Sequence, residues 1–471
     1  MRLSDEVCRQ ARALVASRLG LDFADVRRAD LGRGLVQACR ASSASTPETY
    51  LTWLATLPDQ SPEWRRLASH LTVGETYFFR DRACFDALEQ QVLPTLIAAR
   101  REAGLRRLRL WSAGCATGEE AYSLAILLDR LLPDRADWAL TILATDINPE
   151  ALEATRRGCY RNWSFRETPE WIRDRYFHRR GAETFEVAPS IQAMVTVAPL
   201  NLAEDGYPSV VTDTSAMDLI LCRNVLMYFT REAQRAVVPR LERALVTGGW
   251  LVVSSAEASA ELFRPLVPVS FPGAILYRKE QSAISGQPSA IGWAPASRQA
   301  ETVWPDPPVP WSAVDAPGGV VAAQSPAPSP PPEPVEALPD PATDLRRARA
   351  QADQGRLEEA LDLCEAILAR NRLDLEPYLL LAAIHQERGE LGAAMTALRR
   401  AIYLAPDSAP AHFLLGSLLL RQRKRRQGQR SLETVVSLLS RTPPDEALPG
   451  CDGLTAGRLL DTARAYLEVR P

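Results

Sequence analysis

The sequence predicts an α/β protein: an N-terminal helical subdomain, a doubly wound parallel sheet, a proline-rich linker and an all-helical repeat solenoid. Three observations carry this reading. Between Leu105 and Glu280 short β-rich runs alternate with helical stretches, the order that covers both faces of a parallel sheet. From Gln281 to Pro341 the chain holds 15 of its 36 prolines, too many for a helix or sheet. Beyond that stretch, Gly355, Gly389 and Arg423 stand 34 residues apart at equivalent positions.

The first part, residues 1–95, has apolar residues at helical spacing. Val7, Ala11, Leu14, Val15 and Leu19 form one stripe behind Ser4, and Tyr50, Leu51, Leu54 and Leu57 form another. Thr46 followed by Pro47 is an N-cap with proline at the first helical position. In residues 96–280 the expected strands are Leu108 to Ser112, Leu140 to Thr145, Ala193 to Val197, Asp218 to Cys222 and Gly249 to Ser254, with helices at 119–132, 149–157 and 230–246. Residues 281–341 read as a disordered linker and 342–471 as the repeat domain, since 34 residues is the period of a tetratricopeptide repeat. Gly428 stands in the third repeat where alanine is usual.

Composition removes several classes. Lys+Arg 55 against Asp+Glu 58 leaves a net charge of −3, without the basic surplus of a nucleic-acid binder. No apolar run reaches the roughly 18 residues needed to span a bilayer, so membrane insertion is not expected and a cytoplasmic protein is. The eight cysteines include no C-x-x-C pair and the four histidines no H-E-x-x-H, so no metal site is expected.

Candidate chemistry gathers at the strand ends. The first strand runs into Gly114-Cys115-Ala116-Thr117-Gly118 before a helix, where small residues either serve a tight turn or let a ligand reach free helix N–H groups. Asp146 ends the second strand, where a carboxylate accepts hydrogen bonds from both ribose hydroxyls of a nucleoside; its competing role as a helix cap is already filled by Asn148. Arg223, Asn224 and Tyr228 lie just past a further strand. Polar residues collected at one sheet edge from three strands mark a ligand crevice.

Four ordered segments then match a family. Thr72-Val73-Gly74-Glu75-Thr76-Tyr77-Phe78-Phe79-Arg80-Asp81, Thr117-Gly118-Glu119-Glu120-Ala121-Tyr122-Ser123, Ala144-Thr145-Asp146-Ile147 and Cys222-Arg223-Asn224-Val225-Leu226-Met227-Tyr228-Phe229 resemble the CheR-type chemoreceptor methyltransferases, over about residues 5 to 280. The repeats suit a branch of that family with an appended tetratricopeptide array. The resemblance implies a class I methyltransferase sheet and transfer of a methyl group from S-adenosylmethionine to a receptor glutamate, giving a glutamyl methyl ester and S-adenosylhomocysteine. It places Thr76 and Arg80 beside the cofactor's methionine part, Glu119 and Asp146 at its amino and ribose groups, Asn201 and Leu202 near adenine, and Arg223 and Asn224 under the sulfonium. Arg80 would orient the cofactor carboxylate and the incoming glutamate, and Tyr228 would align that glutamate.

Two positions depart from the family. Gly74 replaces a frequent asparagine, and the stretch from Phe177 to Val197, where the family has a small antiparallel subdomain able to grip a receptor's C-terminal peptide, holds one glycine, Gly181. Docking through such a peptide is therefore not expected. Expected partners are chemoreceptor cytoplasmic helices, met by a basic cluster of Arg27, Arg28, Arg33 and Arg40, and a protein bound by the repeats, with no nucleic acid. The repeats would act as a tethered module with no part in methyl transfer. The alternative is a repeat-based scaffold whose methyltransferase fold only senses cofactor; intact Arg80, Asp146 and Tyr228 favour catalysis.

Overall fold

The computed structural model describes residues 3–58, 61–209, 212–280, 341–353, 355–422, 424–449 and 454–468. All but the last residue of the expected linker falls outside them, as do Arg423 and Cys451. Seven strands, β1 (Arg107–Ala113), β2 (Ala139–Asp146), β3 (Val195–Pro199), β4 (Met217–Leu221), β5 (Leu245–Val252), β6 (Val267–Phe271) and β7 (Ala274–Arg278), form one sheet. Their order is β3-β2-β1-β4-β5-β7-β6. The first five are parallel, and β7 runs antiparallel to β5 and β6.

Alternation along each strand feeds two cores. Trp111, Ala113, Leu143, Ile220 and Leu251 face one side, and Leu108, Leu110, Ile142, Leu219 and Val252 face the other. β1 is buried at every position, as a strand covered on both faces must be. The third strand begins at Val195 rather than Ala193 because Pro189–Gln192 makes a helical turn, closed by the Ala193 N–H donating to the Pro189 carbonyl at 3.0 Å. The closing hairpin, β6 and β7, was not expected from sequence. Pro268 interrupts the first of these strands, which is tolerated because β6 is the sheet edge.

Four helices, Asp5–Leu19, Arg28–Ala41, Pro47–Thr56 and Pro62–Leu71, make the N-terminal lobe and share the core with Trp111 and Leu143. Their starts are capped as the sequence suggests: Ser4 Oγ accepts from the Val7 N–H at 3.3 Å, and Thr46 closes a capping box with Thr49. The lobe is joined to the segment after β4 by Asp22 N–H donating to the Tyr228 carbonyl at 2.7 Å and Thr230 N–H to the Gly20 carbonyl at 2.8 Å. Elsewhere 159–161, 184–187 and 177–179 form a small antiparallel sheet, so the subdomain is built with its single glycine.

The repeats are three helix pairs, Pro341–Asp353 with Leu357–Arg370, Leu375–Glu387 with Leu391–Leu404 and Ala409–Arg421 with Arg425–Leu439, followed by a closing helix, Ala456–Glu468. Gly428 is explained by close helix approach, since a Cβ there would sit 2.9 Å from the Gly416 carbonyl oxygen. The array is docked rather than free. Glu387, at the end of a repeat helix, pairs with Arg107 and, at 2.7 Å, with Arg109 at the start of β1. Burial pulls the Arg107 pKa down while the Glu387 charge opposes it. Removing one partner of such a pair would strand the other charge away from water. The closing helix adds Asp461 paired with Arg65 at 2.8 Å and Arg458 paired with Glu204. The expectation of a merely tethered module is thereby corrected: ion pairs between residues hundreds of positions apart leave no periodic trace in a sequence.

Candidate active site

A cavity opens at the carboxyl ends of the parallel strands, where a doubly wound sheet binds its ligands. Its floor comes from the segments after β1 (Gly114, Cys115, Ala116), β2 (Asp146, Ile147, Asn148), β3 (Leu200, Asn201, Leu202) and β4 (Arg223, Asn224, Val225, Tyr228). The N-terminal lobe closes it with Leu19, Leu21, Arg27 and the stretch from Leu71 to Thr76, and Arg80 completes the rim. Thr76, Arg80, Asp146, Asn201, Leu202, Arg223, Asn224 and Tyr228 are thus brought together.

Glu119 is not among them. Its carboxylate is buried away from the cavity, accepting from Thr117 Oγ1 at 2.6 Å and Ser164 Oγ at 2.9 Å. Glu120, one helical step on, lines the cavity and accepts from Ser112 Oγ at 2.7 Å and Arg223 Nη1 at 3.2 Å. Of the two, Glu120 and not Glu119 lines the cavity; successive residues at a helix start point about 100° apart, and a Glu-Glu pair does not say which one faces the sheet edge.

Each Asp146 oxygen accepts one backbone N–H, from Asn148 and from Ala116, both at 2.9 Å. A carboxylate held in this way keeps acceptor capacity on both oxygens for two further donors. Arg223 sits between Glu120 and Asp81, whose carboxylate lies 3.4 Å away, and donates to the Arg80 carbonyl at 2.7 Å. Its Nε is buried without a hydrogen-bond partner among the described residues. The Asn201 side chain is committed to the protein: Nδ2 donates to the Arg18 carbonyl at 3.1 Å and to Glu204 at 2.9 Å. It can shape the cavity wall but has no amide hydrogen left to donate. At Gly74 an added Cβ would meet nothing within 4 Å.

Two residues not placed in the cavity from sequence organise the site. Arg27, expected in a basic cluster meeting the receptor, lines the cavity with its guanidinium 4.9 Å from the Tyr228 ring centroid. Glu257, following β5, accepts from the N–H groups of Asn224 (2.7 Å), Val225 (2.8 Å) and Met227 (3.1 Å), and so sets the segment after β4. The Ser254-x-x-Glu257 spacing of a capping box was the available signal.

Burial raises the pKa of Asp146, with its backbone N–H partners opposing. Burial also raises that of Glu120, opposed first by the Arg223 charge. A carboxylate whose folded pKa is raised costs stability when ionised, a cost relieved as pH falls through that pKa. Ligand binding through the ionised oxygens runs the other way. Affinity for S-adenosylhomocysteine is expected to fall on acidification from pH 7, starting above the usual carboxylate value of about 4, and Asp146→Asn should flatten the dependence. Calorimetry across that range checks it.

A 3-2-1-4-5-7-6 sheet with a carboxylate at the end of β2 and a small-residue turn after β1 fits an S-adenosylmethionine-dependent methyltransferase, the class that the family match gives. Residues 74–265 match the model of the CheR methyltransferase SAM-binding domain, and residues 351–418 match a tetratricopeptide repeat model. The chain belongs to the CheR methyltransferase family. It is 35% identical over 213 residues to chemotaxis protein methyltransferase 1 of Pseudomonas aeruginosa, covering 44% of this chain and 74% of that one. It is also 29% identical over 416 residues to the probable biofilm formation methyltransferase WspC of the same species, covering 86% of this chain and 93% of the relative. A chemotaxis protein methyltransferase of Listeria monocytogenes is 35% identical over 189 residues, 40% of this chain and 67% of its own.

Proposed function

We propose that this chain methylates glutamate side chains on the cytoplasmic helices of a chemoreceptor, forming glutamyl methyl esters. The observation that supports this most is what the cavity lacks. Its lining includes no histidine, and its cysteine, Cys115, is kept a neutral thiol by burial, which drives its pKa well above the ordinary value. A nucleophile needing deprotonation would find only carboxylates here, each already engaged: Asp146 by two backbone N–H groups, Glu120 by Ser112 and Arg223, and Glu75 by Arg166. A glutamate, with a free pKa of about 4.3, arrives ionised and needs no base.

The residues fit the cofactor: Asp146 has acceptor capacity for the ribose hydroxyls, Glu120 for the methionyl ammonium, and Arg223 Nε is an unused donor. S-adenosylmethionine supplies a methyl group activated by its positive sulfonium. The protein's part is orientation and exclusion of water. Union of a carboxylate with a sulfonium removes both charges, so a site that strips solvent from the nucleophile lowers the barrier, and alignment supplies much of the rest. Arg223, flanked by Glu120 and Asp81, puts little net positive charge beside the reacting centre. Arg80 and Tyr228, on the cavity lining, would orient the incoming carboxylate; the repeats would bind a protein of the same assembly.

Product mapping tests the assignment. A receptor cytoplasmic fragment incubated with the protein and S-adenosylmethionine should gain 14 mass units, on the order of one methyl per event, on glutamate side chains. Methylation confined to lysine or arginine nitrogen would refute it.

A further inference from the structure

A second cavity lies behind the first. It is lined by Trp64 and Arg65 of the N-terminal lobe, by Pro199, Glu204 and Thr212 near the sheet, and by Arg458, Asp461 and Thr462 of the closing repeat helix. Leu19, Ile147, Leu200 and Asn201 line both cavities. One layer of side chains therefore separates the cofactor cavity from the repeat domain. Within that layer Asn201 is bound through Glu204: one Glu204 oxygen accepts from Asn201 Nδ2 at 2.9 Å, and the other pairs with Arg458. Both ends of the Arg458–Glu204 pair are mostly shielded, with side-chain exposures of 20% and 23%.

We infer that Arg458 is a positioning residue for cofactor binding, and that the closing helix of the repeats is a supporting wall of the cofactor site. A carboxylate held by an arginine on one oxygen keeps its other oxygen in a fixed direction. Here that direction is toward Asn201, at the turn after β3 that ends in Leu202. Without Arg458, Glu204 is free to rotate toward water, and the Asn201 amide loses one of its three bonds, keeping Nδ2 on the Arg18 carbonyl and Oδ1 on the Ala203 N–H. The wall loosens where the reading of the site places the adenine, so cofactor affinity falls while the groups that orient the carboxylate stay in place. This rests on that reading of the cavity, and the experiment separates the two.

The test uses the full chain and S-adenosylhomocysteine calorimetry, with kcat and KM for S-adenosylmethionine as a second readout. Arg458→Ala should weaken binding about five-fold, on the order of the loss of one charge-assisted hydrogen bond, and raise KM with kcat at saturation unchanged. Glu204→Gln, which keeps the side chain's size, should do the same more weakly, and serves if Arg458→Ala fails to fold. The exchanged pair Glu204→Arg with Arg458→Glu should not restore affinity, because arginine at 204 cannot accept from Asn201, whereas Arg458→Lys should largely preserve it. Wild-type affinity in both Arg458→Ala and Glu204→Gln would overturn the inference. So would an equal loss in Asp461→Asn, which breaks the neighbouring pair with Arg65 and leaves Glu204 alone. If Asp146→Ala also binds with unchanged affinity, the reading of the cavity fails; if only Arg458→Ala does, the coupling alone fails.

Discussion

Replacing Glu257 with alanine is expected to destabilise the fold by about 3 to 5 kcal/mol and to reduce methyl transfer by about two orders of magnitude. Its carboxylate receives the N–H groups of Asn224, Val225, Met227 and Ser254, and the Ser254 hydroxyl, between 2.6 and 3.1 Å. Alanine leaves these buried and part-buried donors without an acceptor, and each loss at a buried position costs about 1 to 3 kcal/mol, though not additively. Asn224 holds a left-handed conformation, φ 56, which the carboxylate helps to maintain. When that segment relaxes, Asn224 and Tyr228 both leave their places on the cavity lining. Glu257→Gln keeps one acceptor oxygen and should fall between the two. Urea unfolding with a parallel transfer assay measures both effects, and a variant of wild-type stability would show that the segment after β4 holds itself.

Gly114→Ala is expected to lower cofactor affinity at least ten-fold with the overall fold retained. Gly114 has φ +83, where an L side chain is strained by roughly 1 to 2 kcal/mol. An added Cβ would also lie 2.4 Å from Val225 Cγ2, a contact that no rotamer change of a β-branched residue readily relieves. Val225 must move, and Asn224 and the Glu257 hydrogen bonds move with it. The two strand-end turns that line the cavity thus constrain each other through one missing methyl group. Calorimetry with S-adenosylhomocysteine decides the point; unchanged affinity would mean that the turn after β1 needs glycine only for its backbone.

Much of this site was legible because its residues fall at the ends of hydrophobic strands. The parallel order brings Asp146, Arg223, Asn224 and Tyr228 to one edge wherever the strand boundaries fall by a residue or two. What failed to read did so for physical reasons. Glu119 and Glu120 differ only in helical phase, which adjacent identical residues cannot reveal. Pro268 hides an edge strand because edge positions tolerate a missing N–H. Arg27 reads from sequence as part of a receptor-facing basic cluster, and only the fold of the lobe places it over Tyr228. The docking of the repeats depends on Glu387 meeting Arg107 and Arg109, and on Arg458 meeting Glu204, across segments with no local pattern in common. Long-range charge pairing has no periodicity to read.

What remains decisive is whether this cavity delivers its methyl group to a carboxylate. Receptor-bearing membranes incubated with the full chain and tritiated S-adenosylmethionine, then treated with mild alkali, test it most directly. An ester hydrolyses and releases its label as volatile methanol, whereas methyl groups on nitrogen or thioether sulfur stay with the protein. Alkali-labile label is expected with the wild type, and its loss with Asp146→Ala at limiting cofactor; label that survives alkali would rule out a carboxylate acceptor.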